Sequence, residues 1–403
     1  MNINAISFSK ANNTLNKASN KKMSFKGQSD TFEKAITVKG DKTTAKIYTK
    51  NLDYKTYDQI KTICSHPVFQ DIPIRIMPDV HPSKNTVVGF SAPMSEVGVI
   101  PGIIGSDIGC GMLCVKFDTQ GQDIDFEKLD EVIRTYTSCN RTKTPASFKK
   151  IPTDLKKDLN KVCKDLKYTN DAFQIGRLGT VGQGNHFIEI NQDDKGNNYL
   201  VVHSGSRSLG KQIAQKHDFI ARQQNHYFVK GLSYLTGDEA REYMQDMRIA
   251  QKYAATNRSI IADEILYRMG WKKLSSFESV HNYIDDKGII RKGAISAEKG
   301  EQMIIPLNMR DGVILATGKG NPDWNCTAPH GAGRKIARGE TRSRLSYEEF
   351  EESMKGIYTT SVSPDTLDEA PAAYKDAGEI IENISDTADI QAIMKPIYNF
   401  KDA

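Results

Sequence analysis

Hydrophobic and polar positions form short β-prone runs from Ala35 onward, at Ala45–Tyr48, Ile72–Met77, Val87–Phe90, Val97–Ile100 and Met112–Phe117. Turn-rich segments such as Pro82–Asn85 and Pro101–Gly105 separate them, so each run predicts a strand closed by a chain reversal. Asp125–Tyr168 is charged and helix-compatible, with a break at Thr142–Pro145, and strands are predicted again at Asn185–Ile190 and Tyr199–His203. Gly210–Met269 then predicts two long helices broken near Gly231–Gly237. The second carries Tyr243, Met247, Ala250 and Ala254 at helical spacing, a stripe suited to packing on the outside of a β core. Further strand-like runs lie at Ile289–Ile290, Met303–Pro306 and Gly312–Ala316; Glu379–Met394 reads as a closing helix, with Lys395–Lys401 as a tail. There is no internal repeat and no βαβ rhythm. The class is therefore α+β, a mixed sheet core surrounded by helices, with a long helical insertion around 210–269.

The chain has 403 residues, 38% hydrophobic and 26% charged, the balance of a soluble globular protein. Met1–Gly27 differs: it is rich in Asn, Lys and Ser and has no acidic side chain. Residues 1–30 are expected to be a disordered tail, and 31–403 a single catalytic domain. The tail has no apolar run of the secretory kind, and nowhere does the chain approach the ~20 apolar residues of a membrane span. Six cysteines are scattered at 64, 110, 114, 139, 163 and 326, too sparse for a disulfide framework, which suggests a reducing, cytoplasmic setting. A net charge of +5 permits a basic groove for nucleic acid without requiring one.

The chemistry concentrates around a few of the eight histidines. In Gly105-Ser106-Asp107-Ile108-Gly109-Cys110-Gly111 the glycines allow a tight loop, and Asp107 and Cys110 stand close enough to converge on one cation. His186 follows Gly-Gln-Gly-Asn185 on a predicted strand, whose other face would carry Asn185, Phe187 and Glu189. His203 ends a strand and leads into Ser204-Gly205-Ser206-Arg207, a turn able to offer N–H groups and an arginine clamp to phosphate. His281 lies in Ser-Val-His-Asn-Tyr. His330 opens His330-Gly331-Ala332-Gly333-Arg334, where small neighbours leave room for a bulky group on its ring. Taken singly, the loop reads more readily as a glycine turn around a buried cysteine, and His186 as a core histidine. Together, Asp107, Cys110, His186, His203 and His281 supply a carboxylate, a thiolate and three imidazoles, enough for two divalent cations if one group bridges. Softness alone would suit Zn²⁺, so ligand type does not decide the metal. His66, His217 and His226 lie outside these segments and read as surface or helix-packing residues, and Trp271 and Trp324 as core or loop anchors.

The Walker phosphate loop, the His-Glu-x-x-His helix of metalloproteases and the Lys-x-Asp-Gly string of lysine-adenylylating ligases are all missing. The nearest string to the last, Met309-Arg310-Asp311-Gly312, begins with Met.

These segments, together with Met77-Pro78-Asp79-Val80-His81 and in this order, resemble the RtcB family of RNA ligases over about Met77–Lys401. The resemblance implies that Asp107, Cys110, His186, His203 and His281 bind two Mn²⁺ ions. His330 would be the nucleophile that takes GMP from GTP, oriented by Asp79. Asn185 and Arg207 resemble phosphate-binding positions, and Arg334 is a reasonable second clamp. Glu189, Tyr374 and Lys401 resemble residues around the guanine, with Asn308 and the Gly331-Ala332-Gly333 backbone completing the nucleotide site. The implied substrates are GTP and RNA ends bearing a 2′,3′-cyclic phosphate or 3′-phosphate and a 5′-hydroxyl. An activator protein is a further candidate partner.

Two departures stand out. Leu307-Asn308-Met309-Arg310 replaces a Gly-Ser-Met-Gly string that many members carry, and Gln183 stands where a small residue is common. Both look like the shorter branch of the family, some members of which accompany a release-factor-like protein and are implicated in RNA repair. tRNA splicing and the repair of cut tRNA or rRNA are both open on this reading. The alternatives are a metal-dependent phosphoesterase that opens cyclic phosphates, which would not need His330, and a non-catalytic RNA-binding protein, which would be expected to have lost ligands.

Overall fold

The computed structural model describes residues 35–402, so the tail expected over 1–30 lies outside the described residues. The first strands are β1 (Ile36–Lys39), β2 (Thr44–Ile47), β3 (Ile74–Pro82), β4 (Val87–Pro93), β5 (Gly111–Asp118), β6 (Phe187–Gln192) and β7 (Asn198–Ser204). There follow β8 (Lys272–Val280), β9 (Asn282–Ile284), β10 (Ile289–Lys292), β11 (Ala294–Ser296), β12 (Gln302–Asn308), β13 (Gly312–Gly318), β14 (Thr327–Pro329) and β15 (Ala388–Phe400). One sheet runs β1-β2-β3-β4-β10-β9 and the other β12-β13-β15-β6-β7-β5-β8, with β11 and β14 as a short pair. Between the named strands the pairings are antiparallel except that of β2 with β3, which are joined by the helix Tyr54–Cys64. The α+β architecture is thus present.

The larger sheet buries both faces. Leu113, Val115, Ile188, Ile190, Leu200 and Val202 meet Ile261 and Ile265 of the long helix Gly237–Met269. The alternate residues Met112, Cys114, Phe187, Tyr199 and Val201 meet Ile304, Val313 and Met394 from the far strands of the same sheet. The sheet curls until its edges touch, where the backbone N–H of Ile304 on β12 donates to Ser279 Oγ on β8 at 3.1 Å. Two-sided burial explains why these strands read as continuous apolar runs.

The break near Gly231–Gly237 falls between the helices Arg207–Gln224 and Gly237–Met269. The second helix, roughly 50 Å long at 1.5 Å per residue, bridges two cores. Tyr243, Met247 and Ala250 enter the core of the six-stranded sheet, while Ile261, Ile265 and Leu266 enter that of the seven-stranded one. Gly270 ends it in the left-handed conformation (φ 73°) that glycine adopts without strain.

Three expectations are corrected. The closing helix is short, Ala377–Asn383, and Ala388–Phe400 is the central strand β15. Ile390, Ile393 and Met394 sit at i, i+3 and i+4 and mimic a helix face, but backbone pairing with β13 and β6 decides the outcome. Pro396, which lacks an N–H, sits at the register shift opposite β6, where a bulge relaxes the ladder. Val97–Ile100 forms only an isolated bridge, Val99 with Leu235, before the helical turn Pro101–Ile104. His66 is neither a surface nor a helix residue: it is fully buried, with Nε2 2.9 Å from the Leu232 carbonyl and Nδ1 accepting from Val68 N–H. Trp324 stacks on Tyr48 and Trp271 on Phe117, the anchoring roles expected of them.

Candidate active site

The Gly105–Gly111 loop leaves the turn Pro101–Ile104 and enters β5, with Gly105 at φ 77° and Gly109 at φ 70°. These turns bring Asp107 and Cys110 under the ends of β6, β7 and β8. Gly205 is required for a close approach, since a Cβ there would lie 2.2 Å from Asp107 Oδ1. The Ser-Gly-Ser turn after β7 therefore backs the carboxylate.

His186 immediately precedes β6, His203 is on β7, and His281 links β8 to β9. Cys110 Sγ is 3.4 Å from His186 Nε2 and 3.3 Å from His203 Nε2. His203 Nε2 is 3.3 Å from His281 Nε2, and His186 Nε2 is 3.2 Å from Asp107 Oδ2. All five predicted ligands are thus brought together, and Cys110, His186 and His203 form a compact, buried group able to hold a cation. His203 Nδ1 donates to the Asn185 carbonyl at 3.0 Å, which leaves the Nε2 lone pair aimed at the cluster. His186 differs. Arg207 Nη1, which can only donate, is 3.2 Å from its Nδ1, so its proton sits on Nε2 and faces Asp107.

Burial sets the electrostatics of this group. It keeps His203 and His281 neutral well below the ordinary histidine range, assisted by their neighbours His186 and His330 respectively. It also pushes the Cys110 thiol far up, with Asp107 adding to the effect. Asp107 stays ionised against burial because the His186 ring and Cys110 hold it below the usual carboxylate range. His281 Nδ1 is buried with no hydrogen-bond partner among the described residues.

Two cationic residues at this cluster were not singled out in the sequence. Arg258, 1% exposed, donates from Nη1 to the carbonyls of Gly109 (2.8 Å) and Ser204 (2.9 Å), and from Nε to Glu278 (3.0 Å). It ties the Asp107 loop to the end of β7. Its signal was present, since it continues the Ala250–Ala254 stripe at i+4, where a charge needs a buried partner. Lys292, at the end of β10, donates to Asn282 Oδ1 at 3.3 Å, and burial lowers its pKa against the pull of Asp107 and Cys110. Nothing in the local sequence distinguishes it.

Asp79 and His330 form the second element. Asp79 on β3 is fully buried, and its Oδ2 accepts from both His330 Nδ1 (2.6 Å) and the His330 backbone N–H (3.2 Å). The ring proton is thereby held on Nδ1, leaving Nε2 free as a nucleophile. His281 and His330 stand with ring centres 4.8 Å apart, so the free nitrogen is next to the cation cluster. Gly333 (φ 75°) is obligatory, because a Cβ there would come 2.2 Å from the Asp79 carbonyl oxygen. Lys375 Nζ bonds the carbonyls of Pro78 and Val80, each at 3.0 Å, and braces the irregular stretch that carries Asp79. His81 donates from Nδ1 to the Asp79 carbonyl at 2.9 Å, and burial takes its pKa down to about 4.

The remaining predicted residues line a third region. Glu189 accepts from Asn399 Nδ2 (2.6 Å) and Asn191 Nδ2 (3.2 Å), and burial pushes its pKa up to about 7. Lys401 Nζ is 2.8 Å from Glu369, which also accepts from Tyr374 OH at 2.7 Å and pairs with Arg338 at 2.7 Å and Arg334 at 3.4 Å. Glu369, the hub of this group, was not singled out. Asn308 faces the cavity, but its amide serves a turn: Nδ2 donates to Asp311 and Oδ1 accepts from the N–H groups of Arg310 and Asp311.

One cavity of about 1430 Å³ joins the three regions. Its walls include Asp107, Asn185, Glu189, His203, His281, Asn308, His330 to Arg334, Tyr374 and Lys401. Asp79, Cys110, His186 and Arg207 stand behind that wall. At this size it exceeds the ~300–1,000 Å³ of a small-ligand pocket and has room for more than one mononucleotide. A second group, His217 with Glu242 and Asp246, lies between the two long helices, where Lys216 sits 2.6 Å from Glu242 and 3.3 Å from Asp246 and already supplies the counter-charge.

An α+β chain with a buried thiol–imidazole cluster opening beside a carboxylate-held histidine is an enzyme, with a candidate metal centre at the rim of a large anion-sized cleft. The comparison with known sequences says which kind. Residues 59–402 match the family described as tRNA-splicing ligase RtcB, and the chain belongs to that family. It is 28% identical over 361 residues to the RNA-splicing ligase RtcB of Escherichia coli strain K12, covering 79% of this chain and 87% of that protein. It is 27% identical over 402 residues to the tRNA-splicing ligase RtcB of Pyrobaculum aerophilum (76% and 82% covered). A third relative, the tRNA-splicing ligase RtcB of Methanococcus maripaludis, is 25% identical over 447 residues (88% and 92% covered). Among the described residues no helix is long and apolar enough to cross a membrane.

Proposed function

We propose that this enzyme joins RNA 3′-phosphate or 2′,3′-cyclic phosphate ends to 5′-hydroxyl ends, using GTP and a guanylylated His330. The observation that carries the reading is the Asp79–His330 pair, whose free Nε2 lies one ring away from five converging ligands.

Asp107, Cys110, His186, His203 and His281 would hold two Mn²⁺ ions. Their donors fit such ions, because Asp107 offers a carboxylate, the His203 ring presents its Nε2 lone pair to the cluster, and Cys110 Sγ sits at the centre. Binding would require the Cys110 thiol to release its proton and the His186 ring proton to move from Nε2 to Nδ1, where Arg207 now donates. When bound, such cations neutralise charge on the transferring phosphoryl group. The chain's own residues do the rest. His330 Nε2 attacks the α-phosphorus of GTP, a P–N bond forms, the P–O bond to pyrophosphate breaks, and Asp79 stabilises the cationic ring that results. A 2′,3′-cyclic end is first opened by water, which breaks its P–O2′ bond to leave a 3′-phosphate; an oxygen of the RNA 3′-phosphate then attacks the His330-bound phosphorus, and the P–N bond breaks to return neutral His330. Finally the 5′-hydroxyl oxygen attacks the RNA phosphorus: the new P–O bond forms, the P–O bond to GMP breaks, and the hydroxyl proton passes to the departing GMP phosphate, leaving the phosphodiester. Arg334, Lys401, Tyr374 and Glu189 surround the space available to the nucleotide.

The test is RNA joining by purified wild type and His330→Ala with GTP, Mn²⁺ and two labelled RNA ends. Joined product from wild type alone supports the reading. Opening of the cyclic phosphate by both proteins, with joining by neither, replaces it with the phosphoesterase.

A further inference from the structure

The reaction chemistry occupies one end of the cleft, yet the cavity continues to an exposed rim formed by the segment entering the helix Tyr54–Cys64. Tyr54 is the most prominent feature of that rim. It is 76% exposed, which leaves most of a large aromatic face in water, and no hydrogen-bond or ring partner engages it among the described residues. Its backbone is nonetheless fixed. Asp53 caps the helix, with its carboxylate accepting from Thr56 N–H at 2.9 Å and Thr56 Oγ1 at 2.6 Å, so the ring is presented from a rigid turn. Lys50 and Lys55 flank it, both exposed and both without an ion-pair partner among the described residues.

The cavity lining also includes the exposed Lys335, Arg338 and Arg344, of which Arg338 is paired with Asp368 and Glu369 and Arg344 with Glu340. Counting the whole lining, nine lysines and arginines face five aspartates and glutamates. That balance suits a polyanion, and a free aromatic face flanked by Lys50 and Lys55, which have no ion-pair partner among the described residues, suits a single strand of nucleic acid, whose bases stack while its phosphates are neutralised.

The geometry points to a single-stranded RNA subsite along this part of the cavity, with a base of the strand stacked on Tyr54, its phosphates neutralised by Lys50 and Lys55, and Lys335 available to the strand further along the same lining. This rests on the RNA-joining reading above and locates the body of one substrate strand, away from the reacting phosphate. It is sequence-tolerant, because every base has a face to stack and none of these groups reads a base edge.

The experiment compares Tyr54→Leu, Tyr54→Trp and the double variant Lys50→Ala/Lys55→Ala with wild type. RNA joining is measured with one oligonucleotide saturating and the other titrated, first the 3′-phosphate strand and then the 5′-hydroxyl strand, so that the arms reveal which one lies on the rim. Labelled-GTP adduct formation without RNA is the internal control. Tyr54→Leu should raise KM for one strand by roughly 5- to 100-fold, the factor that one stacked base contributes, while Tyr54→Trp stays near wild type and adduct formation is unmoved. The double lysine variant should flatten the salt dependence of binding by about 0.7 in log–log slope for each phosphate released. Equal KM for Leu and wild type on both strands, or a Trp variant no better than Leu, would overturn the subsite. If wild type forms no adduct, the ligase reading fails instead, and anisotropy titration of labelled single-stranded RNA still decides whether Tyr54 and the lysines bind it.

Discussion

Replacing Asp79 by Asn removes one charge and almost no volume from a carboxylate that is fully buried and accepts two hydrogen bonds from one residue, at 2.6 Å from His330 Nδ1 and 3.2 Å from the His330 backbone N–H. The amide oxygen can take both bonds, so the loop geometry should survive. What changes is the response to charge. As Nε2 bonds to phosphorus the ring becomes cationic, and a hydrogen bond from a charged group contributes about 1.5–3 kcal/mol against about 0.5–1.5 kcal/mol for a neutral one. The difference, about 1–2 kcal/mol, corresponds to a roughly 5- to 30-fold slower attack. A larger loss follows if the amide turns its NH₂ toward Nδ1, because the ring proton must then move to Nε2 and mask the nucleophile. In the serine-hydrolase triad the same exchange costs on the order of 10⁴. The amide NH₂ has little reason to stay at the other oxygen's place, since Asp79 Oδ1 has no hydrogen-bond partner among the described residues. The assay is single-turnover formation of the protein–GMP adduct from labelled GTP, at several GTP concentrations. A reduced rate with an unchanged half-saturation concentration is expected, and adduct formation at the wild-type rate would refute the assignment of Asp79 as the orienting group.

Arg258→Ala should lower thermal stability and metal affinity together, because it leaves the Gly109 and Ser204 carbonyls and the half-buried Glu278 without their partner; a buried acceptor left unsatisfied costs about 1–3 kcal/mol, and unfolding followed with and without added Mn²⁺ measures both effects. Gly333→Ala should abolish adduct formation while leaving much of the fold, since its Cβ would meet the Asp79 carbonyl oxygen in a left-handed backbone; circular dichroism beside the adduct assay checks this. His66, whose pKa burial lowers to about 4, resists protonation when folded but not when unfolded. The unfolded chain therefore binds the extra proton first, so stability should fall as pH drops from about 6.5 toward 4 and level off below. Denaturant titrations of wild type and His66→Gln across that window should show a flatter profile in the variant.

Much of the site was legible because its parts lie in short glycine-bounded strings. Each string places a ligand at the end of a strand, and the fold needs only to bring strand ends together. The candidate ligands, His330 and Asp79 were named through the family resemblance, and the structure brings these residues together. Residues that act from the middle of regular elements were harder to see. Arg258 was hidden within a helical stripe, Lys292 within a β-prone run, and Glu369 among neighbours that carried the resemblance. The fold was legible where burial is one-sided, as on the helix Gly237–Met269, and misleading in β15. There the spacing of Ile390, Ile393 and Met394 imitates a helix, and only the strands on either side override it. Arg207 shows a third kind of limit: the Ser204-Gly205-Ser206 turn it closes and the resemblance suggested a phosphate clamp, and its contacts to His186 Nδ1 and Cys139 Sγ could not be read from the sequence.

The central claim is that His330 carries GMP on its ring. Wild type and His330→Ala should each be incubated with labelled GTP and Mn²⁺, digested, and searched for a peptide bearing an acid-labile, base-stable nucleotide, as a phosphoramidate requires. A single modified peptide containing His330 is expected in wild type and none in the variant. GMP found on another residue, or an equal yield of adduct in His330→Ala, would contradict it.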